Sequence, residues 1–171
     1  MADRDDVFDP IAVLQALDRH RVTYIVIGGL GRVIHGSDEL TDGIDLVPST
    51  REENLRRLGL ALEDLEARRS DGKRLALQQD LVRQPVLELR TDAGELKIVR
   101  EPAGTRGYDD LRRAATREPL GHGVRPSVAS LGDHARMLAA LDREQDREPL
   151  YTLRHLIELE RELTRGRTLE R

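Results

Sequence analysis

Residues 24–48 read YIVIGGLGRVIHGSDELTDGIDLVP, and this stretch carries the strongest structural pattern of the chain. Residues 23–27 are rich in β-branched side chains and lead directly into Gly28 and Gly29, which predicts a buried strand that ends in a tight turn. A short helix is expected over residues 30–35. The stretch therefore predicts a strand, a glycine turn and a helix in immediate succession.

A second short strand is expected over residues 44–47, between Gly43 and Pro48. Side chains alternate between the two faces of a strand, so Asp45 should face the side opposite Ile44 and Leu46. Asp45 is then the one charged residue of a mostly apolar strand. Its position makes it a candidate functional residue.

Composition restricts the class of protein. The chain has 171 residues, which is about the length of one domain, and it contains no cysteine. Its 28 basic and 32 acidic residues nearly balance, so the whole molecule does not attract nucleic acid as a polycation. No apolar run approaches the ~20 residues of a membrane span. We expect a cytoplasmic protein with no membrane partner and no DNA partner.

The remaining patterns predict an α/β core over residues 1–128. A helix should begin at Pro10 with Asp9 as its N-cap, and a second should follow a capping box of Thr50 and Glu53. Two strands, 86–90 and 95–99, flank a turn of sequence TDAG and predict an antiparallel hairpin. Residues 68–85 are polar and weakly patterned, residues 107–117 are expected to be helical, and residues 123–128 are expected to be extended.

Residues 129–165 are predicted to form C-terminal helices. Ser130 and Asp133 resemble a second capping box ahead of an apolar helical repeat. A last amphipathic helix with a charged outer face should follow, and its end should fray. We therefore expect a single α+β domain, residues 1–171, with a small mixed sheet flanked by helices and a helical C-terminal segment.

The stretch around Asp45 resembles the signature of the polymerase-β-like nucleotidyltransferases. That signature is a strand ending in Gly-Gly or Gly-Ser, a short helix, and then a strand with two aspartates one residue apart. Thirteen residues, 30–42, separate Gly29 from the first aspartate position. Within the superfamily, the pattern GGLG, HG, LT and ID is most similar to the minimal nucleotidyltransferases and the AbiEii-like toxins of toxin–antitoxin systems.

The chemistry of this signature has a physical basis. A glycine turn at a helix start exposes backbone N–H groups, against which a triphosphate can lie, so Gly28 and Gly29 are the candidate nucleotide-binding residues. Aspartates at i and i+2 of a strand share a face, and with a third carboxylate they can hold two divalent ions. The resemblance implies an NTP substrate, Mg²⁺ in active relatives, and metal binding by Asp45.

This chain departs from the signature at two of the three carboxylate positions. Gly43 stands at the first and Lys97 at the third, so only Asp45 remains. The local charge changes from minus three to about zero, and we expect metal-dependent turnover to be lost or strongly reduced. Lys97 is one of only two lysines, and a selected pseudoenzyme and a deliberately inactivated toxic enzyme would both produce this pattern. Lys97 could also contact a phosphate in place of a metal.

Three other features have simpler interpretations. His35 is expected to be a buried structural histidine, and Asp42 should face away from Asp45. The arginines at 112, 113 and 117 are balanced by Asp109, Asp110 and Glu118 and are expected to form a solvated face. The chemistry is therefore assigned to Gly28, Gly29, Gly43, Asp45 and Lys97.

Two functions follow as hypotheses. The first is an AbiEii-like nucleotidyltransferase that transfers a nucleotide to an RNA end, such as that of a tRNA, or to a protein hydroxyl, in a form with impaired chemistry. An antitoxin encoded nearby would be its partner. The second is a pseudoenzyme, a non-catalytic module that binds a nucleotide or another anion, or a protein, and uses Lys97 for the anion.

Overall fold

A computed structural model describes residues 7–169 as seven helices, one 3₁₀ turn and seven strands. The helices are α1 (Pro10–Arg19), α2 (Gly28–Ile34), α3 (Glu52–Asp64), α4 (Leu77–Arg83), α5 (Tyr108–Leu111), α6 (Leu131–Leu141) and α7 (Arg147–Leu169). The strands are β1 (Tyr24–Ile27), β2 (Gly43–Pro48), β3 (Arg68–Arg69), β4 (Val86–Thr91), β5 (Gly94–Val99), β6 (Thr116–Arg117) and β7 (Ser127–Val128). The 3₁₀ turn spans Glu144–Asp146.

The strands form one mixed sheet in the order β3-β4-β5-β2-β1-β7-β6. β2 lies at the centre, antiparallel to β1 and parallel to β5, and the β4–β5 hairpin extends the sheet on that side. β1 also pairs in parallel with β7. The predicted mixed sheet with flanking helices and a helical C-terminal segment is therefore confirmed.

Apolar side chains cover both faces of the sheet. The larger cluster packs α1, α3 and α4 against one face, where Ile44 and Leu46 are fully buried. The smaller cluster joins Ile27, Val47 and Met137 of α6 on the other face. The predicted alternation along β2 is confirmed, because Val47 packs on the face opposite Ile44 and Leu46. Asp45 therefore points toward α6.

Two helix starts agree with the predicted caps. The Asp9 carboxylate accepts a hydrogen bond from the Ala12 backbone N–H at 3.0 Å, and Pro10 follows as the first helical residue. The Ser130 hydroxyl oxygen accepts one from the Asp133 N–H at 3.0 Å. Both side chains satisfy N–H groups that have no partner within the helix.

The predicted capping box at Thr50 is wrong. Arg51 occupies the N-cap position of α3 and makes no side-chain cap bond. Glu53 instead accepts hydrogen bonds from the guanidinium groups of Arg56 and Arg57, one turn further along the helix. Charge-assisted pairs on the helix surface thus replace the reciprocal cap. The helix itself is as predicted, with Leu58 and Leu62 buried.

The long helix predicted over residues 107–117 is also wrong. α5 is a single turn, Tyr108–Leu111, and Thr116–Arg117 pairs instead with Ser127–Val128 in the sheet. β6 and β7 are two-residue strands joined by residues 118–126, and strands this short leave no alternation pattern in the sequence. Residues 68–85, weakly patterned in sequence, form β3 and α4, and α2 begins at Gly28 rather than at residue 30.

Candidate functional site

A cavity of about 530 Å³ lies between the sheet and α6, at the end of β1 where α2 begins. The charged residues that line it are Arg32, Asp45, Glu88, Lys97, Glu101 and Arg143. Its apolar wall consists of Ile27, Pro85, Val86, Val99, Pro102, Ala103, Met137, Leu138 and Leu141. The cavity therefore combines charged and apolar walls.

The register of the strands brings the charged side chains together. Asp45 of β2 lies directly opposite Lys97 of parallel β5, and Lys97 lies directly opposite Glu88 of antiparallel β4. Residues in direct register project from the same face of a sheet, with about 5 Å between neighbouring Cβ atoms. Asp45, Lys97 and Glu88 form a transverse charge row in which Lys97 stands between two acidic residues.

Gly28 packs directly against Asp45. Its φ is +69°, and a Cβ at this position would lie 2.9 Å from Cγ of Asp45 and still closer to the carboxylate oxygen Oδ2. Only glycine combines this left-handed backbone with such a close approach. The glycine turn thus places the first turn of α2 against the carboxylate, and Gly29 lines the same cavity.

Burial changes the proton affinity of Asp45. Desolvation of the mostly buried carboxyl raises its pKa above the ordinary value, and the negative charge of Glu88 acts in the same direction. Lys97 and Arg32 lower this pKa and offset part of the rise. Asp45 thus lies within the electrostatic reach of both Lys97 and Glu88.

Arg32 of α2 already has a carboxylate partner. Its guanidinium donates to both oxygens of Glu39 at 2.8 Å, and the Ser37 hydroxyl donates to the same carboxylate at 2.6 Å. Hydrogen bonds from Arg32 hold the pKa of Glu39 below its ordinary value. This ion pair connects the loop after α2 to α2 itself, and it gives the Arg32 guanidinium a carboxylate partner.

His134 of α6 closes the back of the cavity and is 1% exposed. Its Nδ1 donates to the Ser130 carbonyl at 3.0 Å, so the proton of the neutral ring is on Nδ1, and Nε2 has no hydrogen-bond partner among residues 7–169. Nε2 packs against Gly31, where a Cβ would lie 2.6 Å from it. Burial is the main cause that lowers the pKa of His134 to about 4.

The other predicted residues lie around this centre. Gly43 is opposite Glu95 at the start of β2 and does not line the large cavity. Asp42 is exposed and lies outside it as well. His35 is half-buried and donates from Nε2 to the Ala129 carbonyl at 2.7 Å, which fits the predicted structural role. The 530 Å³ cavity thus brings together Gly28, Gly29, Asp45 and Lys97, and a smaller pocket lined by Gly29, Asp45 and Lys97 also contains Gly43 and Asp42.

The residues at the predicted metal position do not fit a divalent ion. Mg²⁺ is bound by oxygen ligands, and of the three positions only Asp45 supplies a carboxylate. Lys97 places a positive charge opposite it. Across residues 7–169 no group of three or more His, Cys, Asp or Glu side chains could hold a metal ion.

Sequence reasoning missed Glu88, Arg32 and His134. The predicted hairpin could have indicated Glu88, because a hairpin that pairs Thr91 with Gly94 also pairs Glu88 with Lys97. Arg32 and His134 gave no such signal. Their place in the cavity depends on how α2 and α6 pack across the sheet.

Comparison with solved structures places this architecture among known folds. The lincosamide antibiotic adenylyltransferase LnuA, solved with lincomycin bound, superposes with a TM-score of 0.61 over 87% of this chain and 98% of its own, at 15% identity. The chain has a nucleotidyltransferase fold. The antibiotic-resistance factor ANT(2'')-Ia in solution is similarly related, with a TM-score of 0.57 over 94% of this chain and 91% of its own, at 15% identity.

A crystal structure of ANT(2'')-Ia in complex with adenylyl-2''-tobramycin gives a TM-score of 0.55 at 16% identity, over 92% of this chain and 95% of its own. No protein-family model matches the sequence, and no curated protein matches it. None of the helices within residues 7–169 is both long and apolar enough to cross a lipid bilayer. The nucleotidyltransferase fold thus rests on three-dimensional similarity.

Proposed function

We propose that this protein binds a nucleoside triphosphate in the cavity beside Asp45, and that its metal-dependent nucleotidyl transfer is impaired in the sequence as it stands. The observation that carries the proposal is the direct register of Lys97 with Asp45 on neighbouring parallel strands. Backbone N–H groups at Gly28 and Gly29 would contact the phosphates, since they begin α2 next to the carboxylate. Gly43 and Lys97 are the altered metal-site positions.

The reaction of this fold explains why the alteration matters. An acceptor hydroxyl oxygen forms a bond to the α-phosphorus, the bond from that phosphorus to the β-phosphate oxygen breaks, and pyrophosphate leaves while the hydroxyl proton goes to a base. Divalent ions normally support this step by stabilising both oxygens. A unit charge ~4 Å away contributes about 4 kcal/mol at an effective dielectric of 20, so the Lys97 ammonium would compete with an ion at Asp45.

The acceptor class proposed first is an RNA end, including that of tRNA, or a protein hydroxyl. The motif similarity to minimal nucleotidyltransferases and AbiEii-like toxins supports it, and an antitoxin encoded nearby and a cytoplasmic location belong to the same proposal. A small hydroxylated molecule is a second candidate. The apolar wall of the 530 Å³ cavity favours it, and the similar structures contain lincomycin and adenylyl-2''-tobramycin.

The alternative from another class is a non-catalytic nucleotide- or anion-binding module, or a protein-interaction module. Within residues 7–169, Lys97 forms no ion pair shorter than 4.0 Å, so its ammonium is available to a ligand. Such a module would retain the nucleotide without turning it over. It would use the same cavity as the proposed enzyme but would not catalyse nucleotidyl transfer.

The double substitution Gly43→Asp with Lys97→Asp separates these functions. We expect it to gain NMP transfer from labelled NTPs to tRNA, to protein or to lincomycin, because it restores three carboxylates. The assay compares it with the unchanged chain at equal Mg²⁺. The enzyme proposal is refuted if the doubly substituted protein binds Mg²⁺ and NTP no better than the starting protein.

The structure adds a control to this experiment. A Cβ at Gly43 would lie 2.9 Å from the Glu95 carbonyl oxygen, so any side chain there pushes β2 away from β5. Gly43→Ala with Lys97→Ala reproduces this strain and removes the lysine without adding carboxylates. Activity confined to the aspartate pair would therefore come from the metal ligands and not from altered strand spacing.

A further inference from the structure

The charge row Asp45–Lys97–Glu88 has one cation between two anions, so its ammonium has two possible carboxylate neighbours. Within residues 7–169, neither carboxylate forms an ion pair with it shorter than 4.0 Å. The other two cations of the cavity are engaged: Arg32 pairs with Glu39 at 2.8 Å and Arg143 with Asp146 at 2.6 Å. Within residues 7–169, Lys97 is thus the cation of this cavity whose charge is not already paired with a carboxylate.

The position of this cation matters as much as its charge. Lys97 is half-buried, and it lies directly across from the carboxylate that packs against Gly28. An ammonium in a partly desolvated cavity attracts phosphate oxygens more strongly than one in bulk water. It also repels any ligand that brings its own divalent cation to the same point.

We propose that this site selects the metal-free form of a nucleoside triphosphate, with Nζ of Lys97 in direct contact with the phosphates. The proposal rests on the nucleotide site proposed above and adds the ionic form of the ligand. The Mg²⁺ complex carries two fewer negative charges and places a cation where Lys97 stands. The side chains that fit a divalent ion poorly would thus make the site prefer the metal-free nucleotide over its Mg²⁺ complex.

The test compares the unchanged protein in two buffers of equal ionic strength, because salt screening alone would alter the affinity. Isothermal titration calorimetry with ATP, GTP, CTP and UTP, each alone, is run once with EDTA and once with excess MgCl₂. We expect the metal-free form of the preferred nucleotide to bind roughly tenfold more tightly, since a charge-assisted hydrogen bond is gained in that form only.

The two lysines give a direct readout of the contact. In protein labelled with ¹³C at lysine Cε, only Lys73 and Lys97 give signals, and Lys73→Gln assigns them. Lys73 is exposed on the surface and does not line the cavity. Addition of metal-free nucleotide should shift the Lys97 signal and leave that of Lys73 in place.

Substitution then tests the cause. Lys97→Gln should weaken metal-free binding roughly tenfold and remove the preference over the Mg²⁺ complex. Lys73→Gln, which removes the same charge elsewhere, should change neither. The wild-type comparisons remain decisive if Lys97→Gln fails to fold.

The outcomes separate the two proposals. Tighter binding with Mg²⁺, or a Lys97 signal that does not shift at saturating nucleotide, overturns the proposed selectivity for the metal-free form. The proposal of a nucleotide site would still hold after either result. Absence of binding by all four nucleotides in both buffers overturns the nucleotide site itself.

Discussion

At the scale of single residues, the site depends on a contact between two positions 17 residues apart. Gly28 begins α2 directly after β1 and Asp45 lies in β2, and their close contact leaves no room for a Cβ at the glycine. The glycine is therefore more than a turn residue, because it also fixes how closely α2 approaches the carboxylate. The sequence indicated both residues, but the contact follows from the antiparallel register of Ile27 with Asp45.

Gly28→Ala should destabilise the fold more than an ordinary left-handed glycine substitution. Gly72 is the matched control, with φ +76° against +69° and no atom within 4 Å of an added Cβ. The left-handed conformation alone costs roughly 1–2 kcal/mol for a residue with a Cβ, which Gly72→Ala should show. Gly28→Ala adds the collision with Asp45. Urea unfolding of both variants measures the difference, and equal losses would show that Asp45 moves aside without cost.

At the scale of elements, the β4–β5 hairpin carries Lys97 and Glu88, and a buried ion pair supports its outer edge. Arg69 of β3 donates to Asp80 of α4 at 2.8 Å, and both side chains are less than a tenth exposed. Asp80 also accepts from the Ala76 N–H at 2.8 Å. The hairpin could be predicted from its alternation and turn, but β3 and α4 could not. The Arg69–Asp80 pair joins β3 to α4, and Leu81 packs α4 into the larger core cluster.

Asp80→Asn should be strongly destabilising, and Asp71→Asn should be mild. Both carboxylates accept hydrogen bonds from Arg69, but Asp80 is buried whereas the Asp71 side chain is 43% exposed. In Asp80→Asn, Arg69 loses its buried anion and keeps only the more exposed Asp71, whereas Asp71→Asn leaves the buried Arg69–Asp80 pair intact, so we expect the larger loss of unfolding free energy in Asp80→Asn. Chemical denaturation compares the two variants. Similar losses would mean that water reaches Arg69 when Asp80 is neutral.

At the scale of the whole molecule, the C-terminal helices close the site from above the sheet. α6 contributes Met137 to the smaller core cluster and His134 to the back of the cavity. His134 packs against Gly31 of α2 and meets His35 edge to face, with ring centroids 5.8 Å apart. A buried neutral imidazole thus joins the C-terminal part of the chain to the core, which links global stability to pH.

His134 should make the protein less stable as the pH falls from about 6.5 to about 4. Its pKa is about 4 in the folded protein against the ordinary 6.5, so the unfolded chain binds the proton more strongly within this range. Stability from this group is complete above pH 6.5 and is lost as the pH falls, in total by about 3 kcal/mol. Unfolding free energies measured from pH 7.5 to 4 give the slope.

The control for this prediction is the exposed His155 of α7. His134→Gln should flatten the slope between pH 6.5 and 4, whereas His155→Gln should leave it unchanged. Carboxylates such as Glu39, whose pKa lies below the ordinary 4.5, act mainly below this range. A wild-type stability that stays constant between pH 6.5 and 4.5 would contradict the assignment.

The sequence by itself determined the elements whose signals are local. Caps at Asp9 and Ser130, the β-branched run before Gly28, the alternation around Asp45 and the hairpin turn all depend on neighbours a few residues apart. The tertiary structure alone decided the pairing of β6 with β7, the ion pair of Arg69 and the approach of α6 to α2. Those contacts join residues ten or more positions apart, beyond the reach of helix or strand periodicity. The charge row depends on both kinds of information. The register of the hairpin predicts that Glu88 lies opposite Lys97, whereas only the parallel pairing of β2 with β5 places Asp45 beside them.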